Sequence, residues 1–433
     1  MTGASLWEAL GRLLEGILTR AQKSPLWTIV LISLHFAKSC AGFRLMTPKL
    51  PVVTHTSRSA VGAESLPRPP ILSPTDGSPP IPENLPPPAD PTANPEDEGF
   101  RRLRKNWPLW LQYFLRDSGA LRALVDLLVL LGIPSLLRQY PGSLKRFLHL
   151  SGLVRLEGLP EIKFDRVSHG PDRKQFIDII EPVHPVSSES GTGSLRREVP
   201  EAQHFVVFVH GGAWGSGFPS MYRLVVQPFI ERGMGAAVVG YRTYPTGNVW
   251  DQVRDVQTAV RQLCAEREVG SVSLVGHSSG AHISALAVLE GLPEIERCVW
   301  LSGVFDIANH YQFESGRGVE RISPLAPACG GSLSRWKAAS PTRLLSGMRD
   351  GMSQTDTDRR LSLPPTLLCH GVLDSTVPYT SSVQFVEELK VVSPAADLLL
   401  LEETGHAQTV LELMFGGPLQ HTLVEWITKR VPN

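Results

Sequence analysis

Between the apolar run Ser271 to Val275 and the helix-forming stretch Ala281 to Glu290 lies the pentapeptide Gly276-His277-Ser278-Ser279-Gly280. A strand that must turn at once into a helix places its turn residue on a tight backbone, with room only for small residues two positions either side. The string GxSxG alone recurs by composition; the strand-turn-helix setting is what gives it meaning. It predicts a nucleophile elbow, with the Ser278 hydroxyl lifted to the top of a sheet.

A serine nucleophile needs donors for the oxyanion that its attack creates. Upstream, the buried-strand run FVVFV ends in His210-Gly211-Gly212-Ala213-Trp214. Glycines let the backbone turn its N–H groups inward. Donors at Gly211, Gly212 and Ala213, joined by the N–H of Ser279, are the expected oxyanion hole, each worth roughly 3 to 4 kcal/mol in the transition state.

The other members of a triad should follow the serine as acid and then histidine. The run LPPTLLCH reads as a core strand whose following loop presents Asp374, and DLLLLE as another strand whose following loop carries His406. His406 is assigned as general base and Asp374 as the acid that orients it. Glu402 and Glu403 are too close to His406 in sequence to reach its far nitrogen. Among the 13 histidines, His277 and His282 flank the nucleophile on side chains that an elbow points away from it. His210 and His370 are read as braces of the oxyanion and acid loops.

From about residue 160 the chain alternates strand and helix. EIKFDRVSHG and KQFIDIIEP form an opening hairpin, followed by FVVFV, AAVVGY, VSLVG, CVWLSG, PTLLCH and DLLLLE. In the intervening NVWDQVRDVQTAVRQLCAER, the residues Val249, Val253, Val256 and Val260 share one face. Near-continuous apolar strands separated by helices predict an α/β fold, a mostly parallel sheet covered on both faces, with its site at the carboxyl ends of the strands. The stretch of about 304 to 363 is far longer than an ordinary connection and is expected to be a cap. Trp214, Tyr311, Phe313 and Arg317 are its candidate substrate contacts.

Four regions emerge: 1–65, a targeting or membrane-associating segment; 66–100, a disordered linker; 101–155, amphipathic and apolar helices; and 156–433, the catalytic domain. The first holds the apolar LWTIVLISLHFA and, through Arg58, seven Lys/Arg against Glu8 and Glu15. That apolar run is short of the roughly 20 residues of a spanning helix, so cleavage, anchoring and peripheral attachment stay open. Residues 66–98 carry twelve of the 36 prolines, a stiff and extended composition. Trp107, Trp110, Tyr113 and Phe114 beside Arg101, Arg102, Arg104 and Lys105 suit a membrane interface, or else a lid on the catalytic domain. With 42 Lys/Arg balancing 42 Asp/Glu, nothing favours nucleic acid. The five cysteines show no CxxC spacing and read as reduced thiols, neither a disulfide framework nor a zinc site. No metal or cofactor is expected.

These residues resemble the α/β-hydrolase superfamily in its HGG-type esterase branch. Within it the chain is most similar to isoprenylcysteine methylesterases, through the hairpin HGPDRKQFIDIIEP, the strings GGAW and GHSSGAH, and the cap start HYQFESGRG. The resemblance implies hydrolysis of the methyl ester of a prenylated cysteine, a lipidated or small-molecule ester as substrate, and association with endoplasmic reticulum or Golgi membranes. HGG-x-W and the elbow also resemble kynurenine formamidase, an amide hydrolase, and a general carboxylesterase would use the same parts. From a different class, a hydrolase-fold binding protein without turnover would normally lack a triad member, and all three are present here.

Overall fold

The structure, a computed structural model, describes residues 101, 105–119, 138–183, 203–267, 269–292, 294–351, 363–393 and 395–429. The readings for 1–65 and 66–100, for Arg102 and Arg104, and for the part of 101–155 that runs from 120 to 137 lie outside the described residues.

Among the described residues one sheet has eight strands in the order β1-β2-β4-β3-β5-β6-β7-β8. β1 (Ile162–Ser168) and β2 (Phe176–Pro182) form the antiparallel hairpin, with Phe164 opposite Ile180. β2 runs antiparallel to β4 (Gly235–Val239). β3 (Gln203–Val209), β4, β5 (Val269–His277), β6 (Ile295–Leu301), β7 (Thr366–Gly371) and β8 (Ala396–Leu401) are parallel. This mostly parallel sheet with an antiparallel start is the α/β-hydrolase arrangement that the resemblance implied.

Successive side chains of a strand point to opposite faces, and the central strands are apolar on both because each face is covered. Phe205, Val207 and Val209 enter one core with α4 (Val249–Glu266), α5 (Ser279–Leu289), α9 (Pro341–Gly351) and α10 (Thr380–Val392). Val206 and Phe208 enter the other, with a 3-10 helix (Pro219–Val226), α3 (Gln227–Ile230), α11 (Gln408–Phe415) and α12 (Pro418–Thr428). The expected valine face of α4 is buried, and the helix starts on a capping box. The Asn248 side chain accepts from the Asp251 N–H at 3.1 Å while the Asp251 carboxylate accepts from the Asn248 N–H at 3.0 Å.

Two boundaries differ from the sequence reading. The 304–363 segment is not all cap: α6 (Ile307–Arg317), α7 (Leu325–Ala328) and α8 (Leu333–Ala338) precede α9, whose Leu345 is fully buried in the sheet's first core. A crossover between parallel strands needs a helix laid on the sheet, and α9 supplies it. Residues 101–155 also divide. α1 (Leu109–Asp117) lies against the outside of the catalytic domain, where Asp117 accepts from the Tyr244 hydroxyl at 2.7 Å. α2 (Ser143–Leu150) instead belongs to that domain, because Leu150 is buried in the second core and Arg223 lies over the ring of Phe147.

Candidate active site

Ser278 joins β5 to α5 with φ 56° and ψ −124°, a conformation that side-chain-bearing residues rarely hold. The two flanking glycines are there for space. A Cβ on Gly280 would sit 2.3 Å from the carbonyl oxygens of Val209 and His210, and one on Gly276 would meet the Ala281 Cα at 2.6 Å. The elbow is therefore wedged against the end of β3, where the oxyanion loop begins.

Loops at the carboxyl ends of β5, β7 and β8 bring Ser278, Asp374 and His406 into one hydrogen-bonded line. The Ser278 hydroxyl meets His406 Nε2 at 3.0 Å, and His406 Nδ1–H donates to Asp374 Oδ2 at 2.7 Å. Asp374 is buried. Its other oxygen accepts from the N–H groups of Thr376 and Val377, both at 2.8 Å. Burial alone would raise the Asp374 pKa, but the His406 charge and the hydrogen bonds from His370 and His406 outweigh it, holding the carboxyl well below the usual carboxylate range.

After β3 the chain turns through Gly212 (φ 140°), Ala213 (φ 49°) and Trp214 (φ 59°). The turn closes when the Gly212 carbonyl accepts from the N–H groups of Gly215 at 3.0 Å and Ser216 at 2.9 Å. A Cβ on Gly211 would lie 2.9 Å from both the His277 carbonyl oxygen and the Ser278 Cβ, so this loop presses directly on the elbow. Ser279 opens α5, and its N–H is among the donors a helix leaves unspent at its start. Buried His210 braces the loop from below: its Nδ1–H donates to the Gly211 carbonyl at 2.8 Å, and its ring stacks on Tyr241.

The chain is similar to several known proteins. A family model described as BD-FAE matches residues 195–305. A probable isoprenylcysteine alpha-carbonyl methylesterase of Oryza sativa subsp. japonica is 28% identical over 50% of this chain and 55% of its own length. The Arabidopsis thaliana isoprenylcysteine alpha-carbonyl methylesterase is 24% identical over 74% of this chain and 76% of its own. A kynurenine formamidase of Salmo salar is 26% identical over 36% of this chain and 50% of its own. The chain thus spans about half the length of the rice relative. Among solved structures, esterase B of Lactobacillus rhamnosis aligns with a TM-score of 0.48 at 18% identity, covering 63% of this chain and 86% of that one.

The chain has the α/β-hydrolase fold and is similar in sequence to isoprenylcysteine alpha-carbonyl methylesterases.

In this fold three further histidines pack around the line of Ser278, His406 and Asp374, two against its members and one against Trp214 of the oxyanion loop. His277 lies beside His406, the rings 5.0 Å apart, and its Nε2–H donates to the His406 carbonyl at 3.2 Å. The elbow does point it away from the serine, but onto the base, a role that sequence reasoning missed. His370 Nε2 stands 3.3 Å from Asp374 Oδ2 and donates to the Val377 carbonyl at 3.0 Å. His282 takes the Trp214 indole N–H on Nδ1 at 3.0 Å and gives its own Nε2–H to the Ala339 carbonyl at 2.7 Å. Burial, joined by the His406 charge, lowers His277 to about 3, and burial lowers His210 and His282 to about 4, which keeps His277, His210 and His282 neutral.

The four expected substrate contacts fare differently. Trp214 is only 2% exposed, and its indole N–H is spent on His282. It is a buried prop of the oxyanion loop, drawn inward because a large ring at a positive-φ turn finds its cover in the core. Tyr311 packs on Trp336 with ring centroids 4.5 Å apart. Phe313 stacks on His310 at 6.0 Å, and the Arg317 guanidinium lies 6.0 Å from the Phe313 ring. Tyr311, Phe313 and Arg317 all sit in α6, whose His310 ring stands 6.5 Å from that of Trp214. Among the described residues no group of three or more His, Cys, Asp or Glu side chains is arranged to hold a metal ion, and the described cysteines Cys264, Cys298, Cys329 and Cys369 are free thiols.

Proposed function

We propose that this protein is a serine hydrolase of carboxylic esters, and that its substrate is the methyl ester of an isoprenylcysteine. The observation that carries the reaction is the unbroken relay from the Ser278 hydroxyl through His406 to Asp374, at 3.0 and 2.7 Å. Ser278 Oγ attacks the ester carbonyl as His406 Nε2 takes its proton, and Asp374 stabilises the imidazolium. The N–H groups of Gly211, Gly212, Ala213 and Ser279 meet the oxyanion. His406 then protonates the departing methoxide, which leaves as methanol. Water attacks the acyl-enzyme with the same base, and the free acid is released.

The methyl ester reading is supported by the methylesterase relatives and by the cap sequence HYQFESGRG. The same relay would also serve a formamide, and the salmon relative is named a kynurenine formamidase. The flank of the domain favours the lipid: on α1, Leu109, Trp110, Tyr113 and Phe114 are 51%, 69%, 41% and 57% exposed. We read this aromatic face as a membrane-surface contact, with endoplasmic reticulum or Golgi as the membrane. No helix among the described residues is long and apolar enough to cross one. The deciding experiment assays farnesylcysteine methyl ester and N-formylkynurenine side by side on one purified preparation. A higher specificity constant for the prenylated ester is expected; the reverse ratio would replace the methylesterase reading with the formamidase.

A further inference from the structure

α6 carries an unusual pair on its inward face. His310 and Glu314 are one helical turn apart, 6% and 7% exposed, with His310 Nε2 3.7 Å from Glu314 Oε1. That Glu314 oxygen already accepts the Ser323 hydroxyl at 2.8 Å. The remaining polar atoms, His310 Nδ1 and Glu314 Oε2, are buried with no hydrogen-bond partner. Each such orphan costs roughly 1 to 3 kcal/mol until a partner arrives, so an incoming hydrogen-bond donor would stabilise this helix face.

Their surroundings tie them to the active site. The His310 ring lies 6.5 Å from that of Trp214, and the charges of His406 and Asp374 both act on it. Ser323 precedes Pro324, and a Cβ on Gly215 of the oxyanion loop would fall 2.6 Å from the Pro324 ring. The pair thus stands in the wall between the cap and the oxyanion loop. We propose that His310 and Glu314 form a polar subsite that takes a hydrogen-bond donor, an amine or amide N–H, on the ester substrate.

The protonation states suit this. Burial, helped by the Arg317 and His406 charges, lowers His310 to about 3, so the ring is neutral. With Nε2–H on the Glu314 side of the ring, the unpartnered Nδ1 is left as one acceptor and Glu314 Oε2 is a second. Burial pushes Glu314 up to about 7, against the pull of Ser323 and Arg317, so a donor arriving there meets a carboxyl whose charge it can restore. A site built of buried acceptors discriminates against an analogue that lacks the donor, because the acceptors then stay unpaired.

The proposal rests on the ester hydrolase reading, and its test separates the two. The purified full-length protein is assayed on an N-acetyl-S-alkylcysteine methyl ester and on the methyl 3-(alkylthio)propanoate of the same chain length, which has no nitrogen. The wild-type protein should prefer the nitrogen-bearing ester by ~10- to 100-fold in kcat/KM. In Glu314→Ala and His310→Phe that ratio should fall toward one, and Glu314→Gln, which keeps an acceptor and the shape of the side chain, should retain part of it. A purely structural role would lower both substrates together and leave the ratio unchanged, which would overturn the subsite, as would a wild-type ratio near one. Failure of the wild-type protein on both esters would instead remove the hydrolase reading, and the subsite with it.

Discussion

The imidazole of His277, immediately before the nucleophile, donates its Nε2–H to the backbone carbonyl of His406, 129 residues further along the chain, at 3.2 Å. It thereby fixes the loop that carries the base. Because burial lowers its pKa to about 3, with the His406 charge adding to the effect, His277 stays neutral and remains a donor across the working range. His277→Phe should lower kcat by ~10-fold, the worth of one such hydrogen bond, with KM nearly unchanged. His277→Gln, whose amide can donate in its place, should recover most of that loss. Steady-state kinetics on any turned-over ester reads the result, and equal activity of the Phe and Gln variants would refute the positioning role.

Removal of the relay should be far more costly. Ser278→Ala and His406→Ala are each expected to lower kcat by at least ~10³-fold, since triad members act as a unit. Asp374→Asn should cost somewhat less, because Thr376 and Val377 still hold the side chain in place. The same variants should lose labelling by a serine-directed phosphonate in order of their kcat. Near-normal ester turnover by the Ser278 variant would refute the nucleophile assignment.

Acid should unfold this protein through its buried histidines. His210 and His282 are lowered to about 4 and His277 and His310 to about 3, chiefly by burial, so between those values and 6.5 only the unfolded chain binds their protons. Stability therefore rises with pH across that window and is lost as pH falls, by on the order of 2 kcal/mol per histidine at pH 5. Glu314, Glu387 and Glu412 are raised by burial and act in the opposite sense above about 4.5. The loss should thus steepen below pH ~4.5, where the glutamates no longer offset it. Thermal melts from pH 7.5 to 4 would show it; a flat Tm across that range would contradict neutral, buried histidines.

The membrane contact makes its own prediction. Trp110→Glu together with Phe114→Glu places charge on the exposed face of α1, where neither side chain supports the core. Vesicle flotation of the full-length protein should fall at least ~10-fold, from lost aromatic burial and added repulsion at anionic lipid. Turnover of a short water-soluble ester should change by less than about two-fold, since the substitutions lie outside the catalytic line. Unchanged flotation would mean that α1 is not the contact.

The elbow, the succession of strands along the chain and the three residues of the relay were legible in the sequence because each is dictated by its neighbours, whereas the sheet order that sets β4 between β2 and β3 was not. Gly276 and Gly280 are demanded by the turn that holds Ser278, two-faced apolar runs demand covered parallel strands, and Asp374 and His406 each end such a strand. Nothing local, by contrast, specifies a contact between chain segments that only the closed sheet brings together. The His277 donor to His406, the inward turn of Trp214 onto His282, and the passage from Glu314 through Ser323 and Pro324 to Gly215 were settled by the tertiary structure. So was the recruitment of α9 and α2 into the two cores, where amphipathic sequences compatible with a cap or a surface helix found sheet to cover. Local sterics and periodicity act over a few residues, whereas the choice among several possible partners for a buried ring or carboxyl depends on which loops the parallel sheet delivers to the same end.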